Sequence, residues 1–568
     1  MSATPTSFDA GRPGSGAPAA GARTPLSRLY RRDLAGYPAT GRRMACLAIV
    51  VLTTVVLYYM LYVQYAVATS IITHFGMTYR YFVWVSVIGN AVGAFASLIA
   101  GLADRWGRAN MVVYGLLAAS LLVFFGLPNA GGKTTYLVLF ALVSFIEGIV
   151  LVATPALIRD FSPQLGRATA MGYWTMGPVI GSLVVTMVTS HTLDSASWQD
   201  ELRYSAVSGF VVFVIAVVAL RELAPAVRDQ IMVTLRDRSL VEARAKGIDP
   251  NAARRGEWRQ MLRLDVAGSA LAIALFLLLY YAAVGNFVVF FATTFNYSEQ
   301  RANALANWYW AANAIALVAV GLLSDRLKVR KPFMIVGAVG SIVVTALFAT
   351  RATHATTGYY TFGWLFIGIG VFSGVAYGPW MAGFTETVEK HNPAATAAGL
   401  AVWGWTVRIV VAVSAAFLPV LVTAVTPLVD HGAQVTAASR QARPALAIVK
   451  AHPQLFAELG KYPPGKAPAA LTAQAVQQVG PADLAVVGKA QPQLAVLNAY
   501  GAKVQKAAAD GPGQWRDWWW ICVGGQVLFV PFVFLMAGRW SPKRAREDAE
   551  RHQEAVDREL AALATERT

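Results

Sequence analysis

Charge is what this chain is short of. Asp, Glu, Lys and Arg make up 14% of its 568 residues against 56% hydrophobic, and mean hydropathy is +0.48, a balance that no soluble domain of this size sustains. Cysteine is nearly missing: Cys46 and Cys522 each sit inside an apolar run near one end of the chain, which excludes a disulfide framework or a thiolate metal cluster. None of the seven histidines falls in the middle of an apolar span. Paired carboxylates, zinc-ligand spacing and a nucleophile elbow are also lacking, which argues against a membrane-embedded hydrolase or acyltransferase, so no enzyme activity and no metal site are expected. Gly131-Gly132-Lys133-Thr134 has part of a phosphate loop, but the preceding glycine, Gly126, stands one position too far away. ATP is therefore not expected as the energy source, and no cofactor is needed.

What the chain has instead is apolar spans. Runs long enough to cross roughly 30 Å of hydrocarbon, near 20 residues each, fall at 44–67, 80–101, 110–127, 134–158, 168–190, 204–222, 264–290, 300–323, 332–350, 358–384, 395–424 and 517–538. The net charge of +17 would suggest nucleic acid in a soluble protein. Here the bases collect in alternate loops, ten of them between Arg221 and Arg263 alone, the positive-inside pattern of cytoplasmic loops. No nucleic-acid partner is expected. An even number of spans places both termini on the cytoplasmic side of a cytoplasmic membrane, with the bilayer as the constant partner.

The spans are duplicated. Gly101-Leu-Ala-Asp104-Arg105-Trp-Gly107-Arg108 follows the second span, and Gly321-Leu-Leu-Ser-Asp325-Arg326-Leu-Lys328-Val-Arg330-Lys331 follows the eighth. Ala168-Thr-Ala-Met-Gly172 opens the fifth and Ala395-Thr-Ala-Ala-Gly399 the eleventh, with Gly177 and Gly404 five residues on. Parallel duplication of a helical bundle is a mark of transporters. The expected organisation is a disordered tail over 1–43, a six-helix bundle over 44–223, an amphipathic linker helix over 224–263 and helices seven to eleven over 264–426. A helical cap of two or three short helices over 427–515, outside the membrane, then precedes helix twelve over 516–540 and a charged tail over 541–568.

The first turn resembles the signature Gly-x-x-x-Asp-Arg-x-Gly-Arg of the major facilitator superfamily, and the second resembles its weaker copy, with Lys328 in place of the second glycine. The resemblance covers everything except the tails, linker and cap. It implies an all-α integral membrane fold of twelve helices in two pseudo-symmetric bundles that rock about a central site, acting as a monomer. It also implies a cytoplasmic latch. Asp104 and Asp325 would meet helix N-termini of the opposite bundle, Gly101 and Gly321 would allow close packing, Gly107 belongs to the same gate motif, and Arg105, Arg108, Arg326 and Arg330 would join the latch or obey the positive-inside rule. In the fifth span, Gly177-Pro178-Val-Ile-Gly181 is similar to the family's antiporter motif, although Tyr173 stands where that motif has glycine. A Gly-Pro pair is equally an ordinary packing and kinking device.

Two charges stand where charges are expensive. Glu147 lies about thirteen residues into the fourth span and Arg408 about thirteen into the eleventh. A charge near the midplane costs on the order of 3 kcal/mol on insertion scales and so marks an ion or substrate path, or else the two form a structural pair. Arg408 suits a carboxylate, which its planar fork can hold by two parallel hydrogen bonds; Glu147 suits a proton. Trp403, Trp405, Tyr59, Asn286, Asn307 and Trp308 are candidate lining residues, the aromatics suggesting an organic solute. The expected function is proton-coupled alternating-access transport of a small organic anion driven by the proton gradient. A proton-driven exporter of amphipathic compounds and a non-transporting sensor are the competing readings.

Overall fold

The computed structural model describes residues 30, 32–98, 107–162, 172–225, 227, 241, 261–354, 356–392, 396–463 and 466–566. Within them all regular structure is helical apart from one two-residue parallel pairing, Asp33–Leu34 with Glu222–Leu223. The membrane helices are α1 (Thr40–Ala66), α2 (Tyr79–Leu98), α3 (Arg108–Asn129), α4 (Lys133–Phe161), α5 (Gly177–Thr192), α6 (Trp198–Ala219), α7 (Leu264–Phe295), α8 (Glu299–Leu327), α9 (Lys331–Arg351), α10 (Tyr359–His391), α11 (Thr396–Leu421) and α12 (Ala502–Leu535). Among the described residues ten helices are long and apolar enough to cross a membrane. The other two, α2 and α5, occupy the second and fifth expected spans beside stretches outside the described residues.

Local chemistry sets the ends. Ser197 and Asp200 form a capping box at the start of α6, and Ser298 accepts the Arg301 N–H at the start of α8, each satisfying donors that a helix leaves free. The sixth span accordingly begins at Trp198 rather than near 204. The chain is also ordered earlier than expected: Arg32 is fully buried and donates to Asn110 Oδ1 at 3.0 Å and to the Val217 carbonyl at 2.7 Å. A guanidinium at the carbonyl end of α6 is favoured by the helix dipole, so this stretch belongs to the first half and not to a loose tail. Most of the expected linker, 224–263, lies outside the described residues.

Small residues bring helices of each half together. Gly148 of α4 packs backbone to backbone on Gly93 of α2, where a β-carbon would collide with the Gly93 carbonyl, and this close approach seats the neighbouring Glu147 against α2. In the second half, Asn313 donates to the Gly370 carbonyl at 3.1 Å, tying α8 to α10.

Between α11 and α12 lie six short helices: Val425–Gln441, Arg443–Ala451, Pro453–Leu459, Ala469–Val479, Pro481–Lys489 and Gln491–Val496. Prolines open four of them, at Pro453 and Pro481 and one residue in at Pro444 and Pro492, where their missing N–H costs nothing. The expected boundary at 515 does not exist, because α12 starts at Ala502 and carries Pro512 in its interior. This cap touches the other half: the Tyr79 N–H at the start of α2 donates to Asp430 Oδ1 at 2.7 Å, a carboxylate at a helix N-terminus.

Burial pushes the Asp430 carboxyl above its ordinary range, partly offset by the Tyr79 bond. The docked cap thus holds a proton more tightly than an undocked one, so docking is strongest at low pH and weakens as pH rises through the raised value. Hydrogen exchange in Val425–Gln441, corrected for the intrinsic rate, should quicken as pH rises, and Asp430→Asn should remove that slope.

Candidate substrate site between the two halves

The two halves meet at the face that bears the cap. Glu299, at the start of α8, accepts the Ser70 N–H at 2.9 Å, the Ser70 hydroxyl at 2.6 Å and the Thr69 hydroxyl at 2.5 Å. Gln300 donates to Asp194 at 2.6 Å, Asn303 to the Ala66 carbonyl at 2.8 Å, Asn307 to Ser190 Oγ at 3.0 Å and the Tyr79 hydroxyl to Asn286 at 2.9 Å. All of these bonds cross from one half to the other. At the opposite face the ion pairs Arg108–Asp160 (2.9 Å), Arg330–Asp325 (2.6 Å) and Arg330–Glu386 (3.1 Å) each stay within one half.

Hydrogen bonds to a charged acceptor are worth about 1.5–3 kcal/mol, so the triple contact on Glu299 is the strongest element of the seam. Glu299→Ala should shift the protein toward a state open at the cap face. Labelling of an Asn307→Cys reporter by a membrane-impermeant thiol reagent from that face should rise at least severalfold, and unchanged labelling would count against the seam as a gate.

Below the seam lies a cavity of about 360 Å³ lined by α1, α2, α4, α5, α7, α8, α10, α11 and α12. Glu147 enters it from the first half and Arg408 from the second. Glu147 is 6% exposed and its Oε1 has no hydrogen-bond partner; Arg408 is near enough for its charge to act on it. Tyr58, Tyr62, Trp174, Tyr280, Tyr281 and Trp403 supply aromatic wall, with Asn90, Ser144, Asn286 and Ser373 as polar points. Buried orphan donors are available beside it in the Tyr280 hydroxyl and the Trp403 indole N–H.

The structure therefore brings together Arg408, Trp403, Asn286 and Glu147. It places the remaining candidates elsewhere. Tyr59 is buried in the core of the first half, Trp405 is 51% exposed on the outer surface of α11, Trp308 packs near Gly363 and is 40% exposed, and Asn307 belongs to the seam. Tyr79, Ser144, Ser373, Tyr377 and Trp518 line the cavity without having been singled out as its lining. In α5, a β-carbon on Gly177 would meet Thr54 Cγ2 at 2.6 Å and one on Gly181 would meet Tyr58 Cβ at 2.7 Å. Those glycines pack α5 on α1, while Pro178 reaches the cavity wall.

A family model described as Major Facilitator Superfamily matches residues 50–414, well over half of the chain. The chain belongs to the major facilitator superfamily. Among solved structures, a bacterial homolog of the human lysosomal transporter Spinster, inward-facing and occupied, is similar with a TM-score of 0.54 at 16% identity, covering 88% of this chain and 97% of that one. A D-xylose–proton symporter gives a TM-score of 0.52 at 13% identity, over 66% of this chain and 90% of that one. The xylose transporter XylE from E. coli, partially occluded and inward-open, gives 0.52 at 12% identity, over 66% and 92%. No curated protein matches the sequence. At such identities the likeness establishes the fold, and membership of the superfamily makes this a multi-pass secondary transporter of small solutes.

The superfamily's signature turn takes concrete form here. Gly107 has φ +88, a backbone conformation that favours glycine, and a β-carbon there would also crowd the Glu222 carboxylate. The Arg108 N–H donates to Glu222 at 2.8 Å and its guanidinium grips both oxygens of Asp160 at 2.9 Å, binding α3 to the end of α4 and to the strand after α6. Gly101, Asp104 and Arg105 lie outside the described residues. In the second copy, Gly321 has open space around it rather than a close helix contact, which corrects its expected packing role. Asp325 pairs with Arg330 of its own half instead of reaching across, and Arg326 is exposed.

Proposed function

We propose that this superfamily member carries a small organic anion, a carboxylate in the first instance, by proton-coupled alternating access in the cytoplasmic membrane, with both termini and the basic loops on the cytoplasmic side. The observation that carries the reading is that one acid and one base, contributed by opposite halves, line a single central cavity. Arg408 is assigned the anion and Glu147 the proton, with Trp403 and Asn286 as further contacts. An anion bound at Arg408 enters a low-dielectric site where charge-assisted hydrogen bonds are strong. A carboxyl with an unpartnered oxygen in the same cavity can take up a proton as the anion's charge arrives nearby. The seam at the cap face is the closed outer gate in this reading. The protein acts as a monomer and needs no cofactor beyond the proton gradient.

The test is solute-dependent proton movement in proteoliposomes, using carboxylates, sugars and cationic dyes. A carboxylate that drives proton uptake supports the anion symporter. Proton movement with cationic dyes alone, in the outward direction, would replace it with the exporter of amphipathic compounds.

A further inference from the structure

A second cavity, of about 270 Å³, opens between α7, α11 and α12 on the outside of the bundle. Its wall is Leu275, Leu278, Ile409, Val413, Phe417 and Ile521 with their neighbours. Ile409, Val413 and Phe417 are 55%, 62% and 50% exposed, which in a membrane helix means facing the acyl chains. This groove is not isolated from the transport site, since Ser414 and Trp518 line both cavities. Trp518 is 4% exposed and its indole N–H has no hydrogen-bond partner, leaving an orphan donor at the junction.

The helix that separates the two spaces is loosely held. Only 11% of the apolar stretch of α11 is buried, against at least 33% in each of the other nine candidate spans. Along that helix Arg408, Val411 and Ser414 face the central cavity, and Ile409, Val413 and Phe417 face the groove. From Arg408 to Ser414 is six residues, roughly 9 Å of helix rise. An anionic group at Arg408 and an apolar chain passing Ser414 and Trp518 would thus fit as one molecule.

We propose that the carried anion is amphipathic, a carboxylate or phosphate head with a single alkyl chain, and that it enters and leaves the site sideways through the opening between α7, α11 and α12, its chain lying in the groove. This rests on the assignment of Arg408 to the anion. Each methylene buried on the groove's apolar wall raises affinity by about fourfold at most, so affinity rises with chain length until the chain reaches the bilayer.

Binding of butyrate, decanoate and decyl phosphate to the full chain in nanodiscs tests this, with wild type beside Val413→Trp, Ile409→Trp and Arg408→Ala. Wild type should bind decanoate and decyl phosphate at least tenfold tighter than butyrate. Either tryptophan, placed at an exposed position where folding is not at risk, should flatten that dependence on chain length. Equal affinity for butyrate and decanoate in wild type, or an undiminished chain-length effect in both tryptophan variants, overturns the side opening and leaves the anion assignment standing. Butyrate and decanoate binding unaffected in Arg408→Ala would instead overturn the anion assignment itself.

Discussion

Arg408→Ala is expected to abolish measurable binding of the anion, with the apparent affinity falling by about 2–5 kcal/mol, or roughly thirty- to several-thousandfold. Arg408 lines the cavity from α11, in the same space as Glu147 of the first half, so a substrate carboxylate placed there would lose much of its water. Truncating a cavity-lining, partly buried charge leaves its counterion unpaired in a site of low dielectric, which is why the loss exceeds that of a surface contact. Arg408→Lys should recover part of the affinity, since charge is kept while the bidentate fork is lost. Isothermal titration with wild type, Ala and Lys variants checks the order. A fully active alanine variant would remove the anion from this site.

Glu147→Gln is expected to separate movement of the anion from movement of the proton. The amide is close in shape and leaves α4 seated on α2 through Gly148 and Gly93, so binding and counterflow exchange should persist. Gradient-driven accumulation should not. One pH unit supplies about 1.4 kcal/mol per proton, or about tenfold accumulation, and the variant should bring that ratio to unity. Comparison of counterflow with accumulation in the same vesicles makes the distinction. Loss of both together would mean that Glu147 serves architecture or anion binding rather than coupling.

Much of this could be read from the residues because a membrane imposes simple rules. Apolar runs and the alternation of basic loops locate the helices, and a buried ionisable residue in each half stands out against its neighbours, as Glu147 and Arg408 do. Which neighbours join them was less visible. Trp403 and Trp405 are two residues apart, roughly 200° around the helix, so one reaches the cavity while the other faces outward. Tyr58 lines the cavity and Tyr59, one position on, turns into the core. In a helix apolar on every side no polar stripe separates such pairs. The bond between Asp430 and Tyr79 joins positions 351 residues apart, and nothing local announces it. Arg32 reads as part of a tail because its partners, Asn110 and the end of α6, are equally remote in sequence.

The central claim is that Arg408 and Glu147 form one site in which arrival of an anion is linked to arrival of a proton. The most direct measurement is the number of protons taken up per anion bound, obtained near neutral pH by titrating purified protein in buffers of different ionisation enthalpy. The account predicts uptake of a substantial fraction of a proton, up to about one per anion, in wild type and none in Glu147→Gln. Binding without proton uptake in wild type, or the same uptake in the variant, would contradict it.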